Sequence, residues 1–412
     1  MGVSHDTAPI AVRERFAFPP GTARSLLEEA DEEALLLVTC NRTELYGLAD
    51  PGELARRLVD AAGVEDDRPV FRHGGEEAAR HLFEVASGLD SMIVGEPQIL
   101  GQVKRAMAEA RDAGSLGPVL DELARRALQV GRSVRHRTGV GEGLPSIPKV
   151  ATGLARLVLG DLEGHTVLVV GTGELGRLTA GQLREAGVSR IVVTNRSPEP
   201  AEQLADRIGG VAAPFERLDE LMVEADVALT CTAAQEPFLS RERVEAVVAG
   251  RDGRKLVLID IAVPRDVDAG VRAVEGARLY DLDDLRGWGS DAVDPEAVEA
   301  ARAIVDREAA DFARWRASRS AVPAIRALHA KAGDILHREL ERVSPEDAER
   351  MLRFGRRILR KILHDPVVGL REGVAREGEE YLESARELLG LDGEPPAEAK
   401  GLERVDPRED SG

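Results

Sequence analysis

Thr166-Val167-Leu168-Val169-Val170-Gly171-Thr172-Gly173-Glu174-Leu175-Gly176 is an apolar, β-branched run that ends in three glycines spaced Gly-x-Gly-x-x-Gly. The run reads as a buried strand, and the pattern beyond it, through Leu178 and Leu183, reads as a helix. In a strand–turn–helix setting the first glycine permits a tight turn and the second lets backbone approach a pyrophosphate. The third lets helix pack on strand, and the helix N-terminus faces the phosphates. Gly171, Thr172, Gly173, Glu174, Leu175 and Gly176 are therefore candidates for holding a dinucleotide; a tight turn without a ligand is the other reading of the same pattern.

Working outward, strands at 190–194, 226–230 and 256–260 alternate with helical stretches. Such alternation means a parallel, doubly wound sheet covered on both faces. The strand Ile191-Val192-Val193-Thr194 ends in Asn195-Arg196-Ser197. NAD-binding units usually place Asp or Glu there to grip the ribose hydroxyls. Here no carboxylate repels a 2′-phosphate and Arg196 can pair with one, which favours NADP(H) over NAD(H); an ordinary surface arginine is the alternative. Ahead of this unit, 147–162 reads as helix and Gly139-Val140-Gly141-Glu142-Gly143-Leu144-Pro145 as a linker or ordered loop. Residues 1–140 mix short apolar runs with amphipathic helices. Beyond the unit, 292–318 reads as one long helix, with Val298, Ala301, Ile304, Val305, Glu308, Phe312 and Trp315 near helical spacing. Further helices are expected to about 390, broken by Gly and Pro. The stretch 371–412 carries 13 acidic and 6 basic residues, and the final twenty are expected to be disordered.

At 412 residues the chain calls for two or three domains. Its composition, 43% hydrophobic and 31% charged, is that of a globular protein. No apolar run is long enough to span a bilayer, and the start lacks the layout of a signal peptide. Two cysteines exclude a disulfide scaffold and point to a reducing, cytoplasmic setting. No Cys/His spacing points to a metal. The net charge of −19 argues against bulk attraction to nucleic acid. Two acid-free stretches run against that mean field: 125–137, with Arg125, Arg126, Arg132, Arg135 and Arg137, and 353–361, with Arg353, Arg356, Arg357, Arg360 and Lys361. Both are candidate phosphate contacts or, equally, solvated helix faces.

A second apolar run, Leu35-Leu36-Leu37-Val38, ends in Thr39-Cys40-Asn41-Arg42-Thr43-Glu44. A thiol at a strand end, beside an amide and a guanidinium, suits a nucleophile that captures an acidic acyl group. A small buried core residue is the other reading. The only other cysteine, Cys231, reads as core. His81 sits between apolar neighbours and is either structural or an acid for a leaving group. The stretch from Ser87 to Lys104 reads on physics alone as a capped helix start, with Pro97 in the first turn and Ser91, Glu96, Gln98 and Gln102 on a polar rim.

Taken together, these segments resemble glutamyl-tRNA reductase. The resemblance rests on Gly2-Val3-Ser4-His5-Asp6-Thr7-Ala8-Pro9 with Val12-Arg13-Glu14, on Thr39–Glu44, on Ser87–Lys104, and on the glycine loop with Asn195-Arg196-Ser197. It continues through Ile259-Asp260-Ile261-Ala262-Val263-Pro264-Arg265-Asp266-Val267 and Lys361-Ile362-Leu363-His364-Asp365-Pro366, covering about residues 2–372 in order. It implies an α/β multi-domain chain. An α+β catalytic N-terminal domain spans 1–145 and a Rossmann-type, doubly wound NADPH domain spans 146–288. A long spinal helix with a helical dimerisation domain spans 289–390, and 391–412 is an acidic tail. It implies NADPH-dependent reduction of glutamyl-tRNA(Glu) to glutamate-1-semialdehyde, the step that leads to 5-aminolevulinate and tetrapyrroles, by a homodimer. Glutamate-1-semialdehyde aminomutase is a plausible partner for the reactive product.

The resemblance also assigns roles. Cys40 attacks the ester that joins glutamate to tRNA and forms a thioester; reduction gives a hemithioacetal that collapses to the aldehyde. His81 protonates the departing ribose oxygen. Thr39, Asn41, Arg42, Ser91, Glu96, Pro97, Gln98 and Gln102 contact substrate, with Arg42 gripping the glutamate carboxylate, and the 171–176 loop contacts the nucleotide. Two departures stand out. The family has a full first strand ahead of Gly2-Val3-Ser4-His5, whereas this chain begins inside it. Thr230-Cys231-Thr232-Ala233-Ala234-Gln235 replaces a Ser/Thr-rich segment. Two other readings compete: an NADP-dependent dehydrogenase of a small carbonyl or hydroxy acid, since 150–285 also resembles shikimate dehydrogenase-type domains, and a non-catalytic tRNA-binding regulatory protein.

Overall fold

A computed structural model of the chain describes residues 1–96, 98–141, 146–286 and 294–391, without the side chains of 345 and 379. Pro97, the 142–145 part of the expected linker and the tail 392–412 lie outside the described residues. The chain divides into two compact units, Met1–Ala309 and the residues from Ala310 on.

The first unit opens with β1 (Gly2–Ser4), α1 (Ile10–Arg13), α2 (Pro20–Glu28), β2 (Ala34–Val38), β3 (Arg42–Gly47), α3 (Pro51–Ala61), α4 (Gly75–Ser87), α5 (Gln98–Asp112) and α6 (Pro118–Thr138). The strands form an antiparallel sheet in the order β1-β3-β2, so β3 is central and pairs on both edges. Strand β1 is three residues long and pairs from Gly2↔Glu44 to Ser4↔Arg42. Helices α4 and α6 pack together beside the sheet, and α5 packs on β2.

The unit continues through α7 (Ile147–Leu159), β4 (Thr166–Val170), α8 (Glu174–Glu185), β5 (Arg190–Asn195), α9 (Pro198–Ile208), β6 (Val211–Pro214), α10 (Leu218–Glu224), β7 (Val227–Thr230), α11 (Arg241–Ala249), β8 (Leu256–Asp260) and β9 (Ala277–Tyr280). All pairings in this sheet are parallel, in the order β6-β5-β4-β7-β8-β9. The strand order reverses beside β4, which opens a crevice at the carboxyl ends of β4 and β7 where this fold binds dinucleotides. Side chains alternate strictly between two cores: Val167, Val169, Ile191, Val193, Leu229 and Ile259 face one, and Leu168, Val170, Val192, Ala228 and Leu258 the other. The first of these cores also takes in Ile10, Met92 and Ile93 and packs against Cys40, so it is continuous with the N-terminal sheet region.

Helix α12 (Pro295–Arg319) is the long helix expected over 292–318, with Ala301, Ile304, Val305, Ala309 and Phe312 buried. The second unit holds α13 (Val322–Leu340), α14 (Pro345–Glu377) and α15 (Glu379–Leu389) around Ile325, Leu328, Leu363, Leu370 and Val374. The expected breaks at Gly and Pro are absent from α14, which runs 33 residues through Pro366. A glycine there serves close packing instead: a Cβ on Gly373 would lie 2.1 Å from the Tyr381 ring. No described helix is long and apolar enough to cross a membrane.

Candidate active site

Cys40 lies at the tip of the β2–β3 hairpin, just beyond the Val38↔Thr43 pair. Thr39 shapes the tip. Its amide donates to the Arg42 carbonyl (2.8 Å), and its hydroxyl accepts from the amides of Asn41 and Arg42 (3.1 Å each). A threonine hydroxyl thereby stands in for a turn carbonyl and holds the cysteine up. The Asn41 side chain is buried, and its Oδ1 has no partner among the described residues.

Behind the tip, β3 places Arg42, Glu44 and Tyr46 on one face, as the two-residue period of a strand requires. All three are buried. Arg42 donates from Nη1 to Glu44 (2.7 Å) and to the Asp90 carboxylate (2.9 Å), and from Nη2 to the Asp90 carbonyl. The Tyr46 hydroxyl donates to Glu44 (2.5 Å). His81, from α4, meets the same carboxylate at 2.9 Å through Nε2, and its Nδ1 stands 3.5 Å from Asp90. Burial alone would raise the Glu44 carboxyl, but the His81 ring and the Arg42 guanidinium hold it below the usual carboxylate range. Arg42 is thus fully engaged by two acids of its own chain, and only Asp90, with a quarter of its side chain exposed, reaches the rim.

Burial pushes the Cys40 thiol up to about 12 and the Glu96 carboxylate adds to the rise, while Arg13 and Arg42 oppose it. Glu96 is itself raised to about 7 by burial, against Arg42 and Arg135. Its backbone carbonyl accepts from Arg135 Nη2 at 2.7 Å. Gln98 and Gln102 lie on the first two turns of α5, four residues apart and hence on one face; with Ser91 they are half-buried, without a side-chain hydrogen bond among the described residues.

The glycine loop follows β4 and opens α8. Gly171 has φ +102°, and a Cβ there would meet the Cys231 carbonyl at 2.8 Å. At Gly176 a Cβ would lie 2.1 Å from Cys231 Sγ, so the thiol fills the space that the third glycine leaves. That thiol points to the carbonyls of Val170 (3.3 Å) and Gly171 (3.5 Å), and burial raises it strongly. Cys231 is a packing residue, as expected. Glu174 turns to Arg105 of α5 (3.3 Å). At the end of β5, Asn195 Nδ2 donates to the Ser197 carbonyl (3.1 Å), Arg196 and Ser197 are exposed, and buried Thr194 Oγ1 is unpartnered among the described residues. A loop that admits no Cβ, a carboxylate-free strand end and an exposed guanidinium fit a dinucleotide carrying an extra phosphate.

Of the arginine-rich stretches, 125–137 is largely committed internally. Arg125 and Arg126 pair with Glu122, and Arg135 holds the carbonyls of Ala86 (3.2 Å) and Glu96 (2.7 Å). Arg135 is a structural cation, which corrects its reading as a phosphate contact, while Arg132 and Arg137 are exposed. The 353–361 cations are all exposed, on α14. That helix also exposes Met351, Phe354, Ile358 and Ile362, an apolar stripe at helical spacing.

Sequence reasoning assigned no role to Glu44, Tyr46 or Asp90. The alternation Arg42-x-Glu44-x-Tyr46 inside a strand was the signal for the first two. No local signal marks Asp90, which acts across 48 residues. Among the described residues no group of three or more His, Cys, Asp or Glu is placed to hold a metal ion.

Comparison with known proteins finds three family matches along the chain. Residues 1–138 match the family described as glutamyl-tRNAGlu reductase, N-terminal domain. Residues 153–288 match shikimate / quinate 5-dehydrogenase, and 300–391 match glutamyl-tRNAGlu reductase, dimerisation domain. The glutamyl-tRNA reductase of Myxococcus xanthus is 40% identical over 95% of this chain and 93% of its own length. That of Rubrobacter xylanophilus is 41% identical over 95% and 96%. Among solved structures, the glutamyl-tRNA reductase of Methanopyrus kandleri is 32% identical, covers 94% of this chain and 96% of its own, and superposes with a TM-score of 0.47.

Proposed function

The chain belongs to the glutamyl-tRNA reductase family, and we propose that Cys40 is the nucleophile of its reaction. That reaction reduces glutamyl-tRNA to glutamate-1-semialdehyde, the first step of tetrapyrrole synthesis. The substrate is a charged tRNA, the cofactor a nicotinamide dinucleotide, and the protein a homodimer whose α14 stripe offers apolar surface for the contact. We assign 1–145 to catalysis, 146–288 to the nucleotide, 289–390 to the spinal helix and dimerisation, and 391–412 to a tail. A small-carbonyl dehydrogenase would have no use for the first 138 residues.

The observation that carries the proposal is the hairpin tip itself. Among the described residues of the first unit, a thiol, an unpartnered buried amide oxygen and a buried ion-pair network converge there. A thiol held near 12 does not ionise unaided at neutral pH. The glutamyl α-ammonium, accepted by Asn41 Oδ1, brings a positive charge beside it and favours the thiolate. The substrate side-chain carboxylate displaces the Asp90 carboxylate from Arg42 Nη1, while Glu44 stays behind the guanidinium. Thr39, Ser91, Glu96, Gln98 and Gln102 complete the walls, and Pro97, outside the described residues, is kept as a substrate contact from the resemblance alone. The Cys40 sulfur forms a bond to the acyl carbon, the ester C–O bond breaks, and His81 gives a proton to the ribose oxygen. A bound nicotinamide supplies the hydride that a thioester accepts more readily than an ester.

We further propose NADPH as the cofactor, held by Gly171, Thr172, Gly173, Glu174, Leu175 and Gly176, with Asn195, Arg196 and Ser197 at the 2′-phosphate. Losing one charge-assisted contact costs about 1.5–3 kcal/mol, so Arg196→Ala should raise the KM for NADPH roughly tenfold or more and leave that for NADH unchanged. Equal changes for both would place the 2′-phosphate elsewhere. The exposed cations Arg132, Arg137 and those of 353–361 are proposed as tRNA phosphate contacts, the reaction as cytoplasmic, and the aminomutase as the acceptor of the aldehyde. The deciding experiment is NADPH oxidation with charged glutamyl-tRNA, wild type against Cys40→Ser, with free glutamate as control. Turnover confined to charged tRNA and lost in Cys40→Ser supports the assignment. Undiminished Cys40→Ser activity overturns it, and tight tRNA binding without turnover in the wild type would favour a regulatory tRNA-binding protein.

A further inference from the structure

The segment 5–14 lies between the nucleophile loop and the nucleotide-binding half, and it is bonded to both. Toward the loop, the His5 amide donates to the Asn41 carbonyl (2.9 Å) and Arg13 Nη1 donates to the Cys40 carbonyl (3.1 Å). Toward the other half, Asp283 accepts the Ile10 amide on Oδ2 (2.8 Å) and Arg13 Nη2 on Oδ1. Arg286 donates to the His5 carbonyl (3.0 Å) and pairs with Asp6. Glu14 takes Arg265 in a two-point contact at 2.8 and 2.9 Å. The Arg13 side chain is hydrogen-bonded to both sides: it is 3% exposed, and one guanidinium spans the Cys40 carbonyl and the Asp283 carboxylate.

The far anchors belong to the loops that leave the carboxyl ends of β8 and β9. Asp283 and Arg286 lie in the turn after β9, where the Asp281 carboxylate accepts the Asp283 amide (3.0 Å). Arg265 lies in the loop after β8, and Asp260 pins that loop by accepting the amides of Ala262 (3.0 Å) and Val267 (2.9 Å). A chain of hydrogen bonds and ion pairs therefore runs from the carboxyl ends of β8 and β9, through segment 5–14, to the backbone of Cys40.

We propose that Arg13 is a positioning residue that holds Cys40 in register with the nucleotide-binding half, so that an acyl group on Cys40 faces the hydride donor. The inference rests on Cys40 being the nucleophile. Arg13 makes no covalent contribution; its planar fork satisfies two acceptors at once, which a lysine ammonium on a flexible stem does less well. Because Asp283 is bonded to Arg13 and to the Ile10 amide, it fixes the guanidinium from the side away from the thiol.

The test separates acyl transfer from reduction. With intact protein and charged glutamyl-tRNA, tRNA release without nicotinamide reads attack by Cys40, and NADPH oxidation reads the complete reaction. A misplacement of about 1 Å costs roughly a hundredfold in rate. Arg13→Gln should lower kcat for NADPH oxidation roughly 30- to 100-fold. It should slow single-turnover tRNA release less than about fivefold and leave the KM for charged tRNA within about threefold. Arg13→Lys should recover part of the loss. Equal losses in both reactions, or no loss in either, overturn the proposal. Should Arg13→Gln not fold, Asp283→Asn decides. It keeps an acceptor for Ile10 and removes the charge facing Arg13, so reduction should fall about five- to tenfold with tRNA release unchanged; wild-type reduction would overturn the inference. Failure of Cys40 as nucleophile shows separately, as Cys40→Ser retaining both reactions.

Discussion

Cys231 directly follows a strand of the parallel sheet and Cys40 lies two residues beyond a strand of the antiparallel hairpin, and burial raises both thiols. Their surroundings divide them. Cys231 sits where β7 passes under the glycine loop, donates to two carbonyls, and fills a space that no other atom competes for except a missing Cβ. Cys40 has arginines at its backbone and behind its strand, an unpartnered amide oxygen beside it, and an acid, Glu96, that burial has brought to about 7. A raised pKa does not distinguish a packing thiol from a reactive one. What separates them is whether the groups around the sulfur are already satisfied or are left open to a ligand.

The largest effect that would break this contrast is on turnover. Cys40→Ser should lower NADPH oxidation with glutamyl-tRNA by at least about a thousandfold, as loss of a nucleophile does, whereas Cys231→Ser should stay within about threefold. Comparable losses in steady-state assays would erase the distinction. The support behind Cys40 comes next. Glu44→Leu strands Arg42 without its buried partner and should cost about 3–5 kcal/mol in a urea titration, with activity lost. A midpoint near that of the wild type would mean that Asp90 alone satisfies Arg42.

Thiol reactivity sharpens the comparison further. The folded pKa of Cys40 lies above that of a free thiol, so the thiolate is scarce at neutral pH and grows as pH approaches about 12. Iodoacetamide labelling of Cys40 in the free protein at pH 8 should run at less than about 1% of the rate for free cysteine, rising through pH 11 without a plateau. A plateau near pH 8 would show an ionised site. The smallest effect concerns Cys231. Gly176→Ala drives a Cβ to 2.1 Å from its sulfur and should cost about 2 kcal/mol in thermal or urea unfolding. Adding Cys231→Ala, whose Cβ stands 3.3 Å away, should restore most of it. Additive losses would mean that the thiol is not what the glycine accommodates.

The nucleotide-binding half was nearly all readable in sequence. Its strands alternate between two cores, its glycines are punctuated within one turn, and Asn195-Arg196-Ser197 follows a strand end. Each of these signals is local. In the N-terminal half the roles proposed for His81 and Ser91 to Gln102 rest on family resemblance, and the strand that ends before Thr39-Cys40-Asn41-Arg42 was readable. The partners that organise it were not. Arg42 was expected to grip a substrate carboxylate and is found held by Glu44 and Asp90. Arg135, read as either a phosphate contact or part of a solvated helix face, is found on carbonyls. Arg13 and Asp283 meet across 270 residues with no pattern to announce them.

By itself, the order of residues determined the parallel sheet, the glycine loop, a long helix near 295–319 and the placing of a thiol at a strand end. These follow from backbone periodicity and from which residues a turn or a glycine loop can accept, all settled within a few positions. Only the tertiary structure decided which buried acids hold Arg42 and His81, that burial raises the Cys40 thiol, and that segment 5–14 ties its backbone to the nucleotide-binding half. Ion pairing and desolvation depend on distance and on excluded water, and neither quantity exists until distant segments have packed.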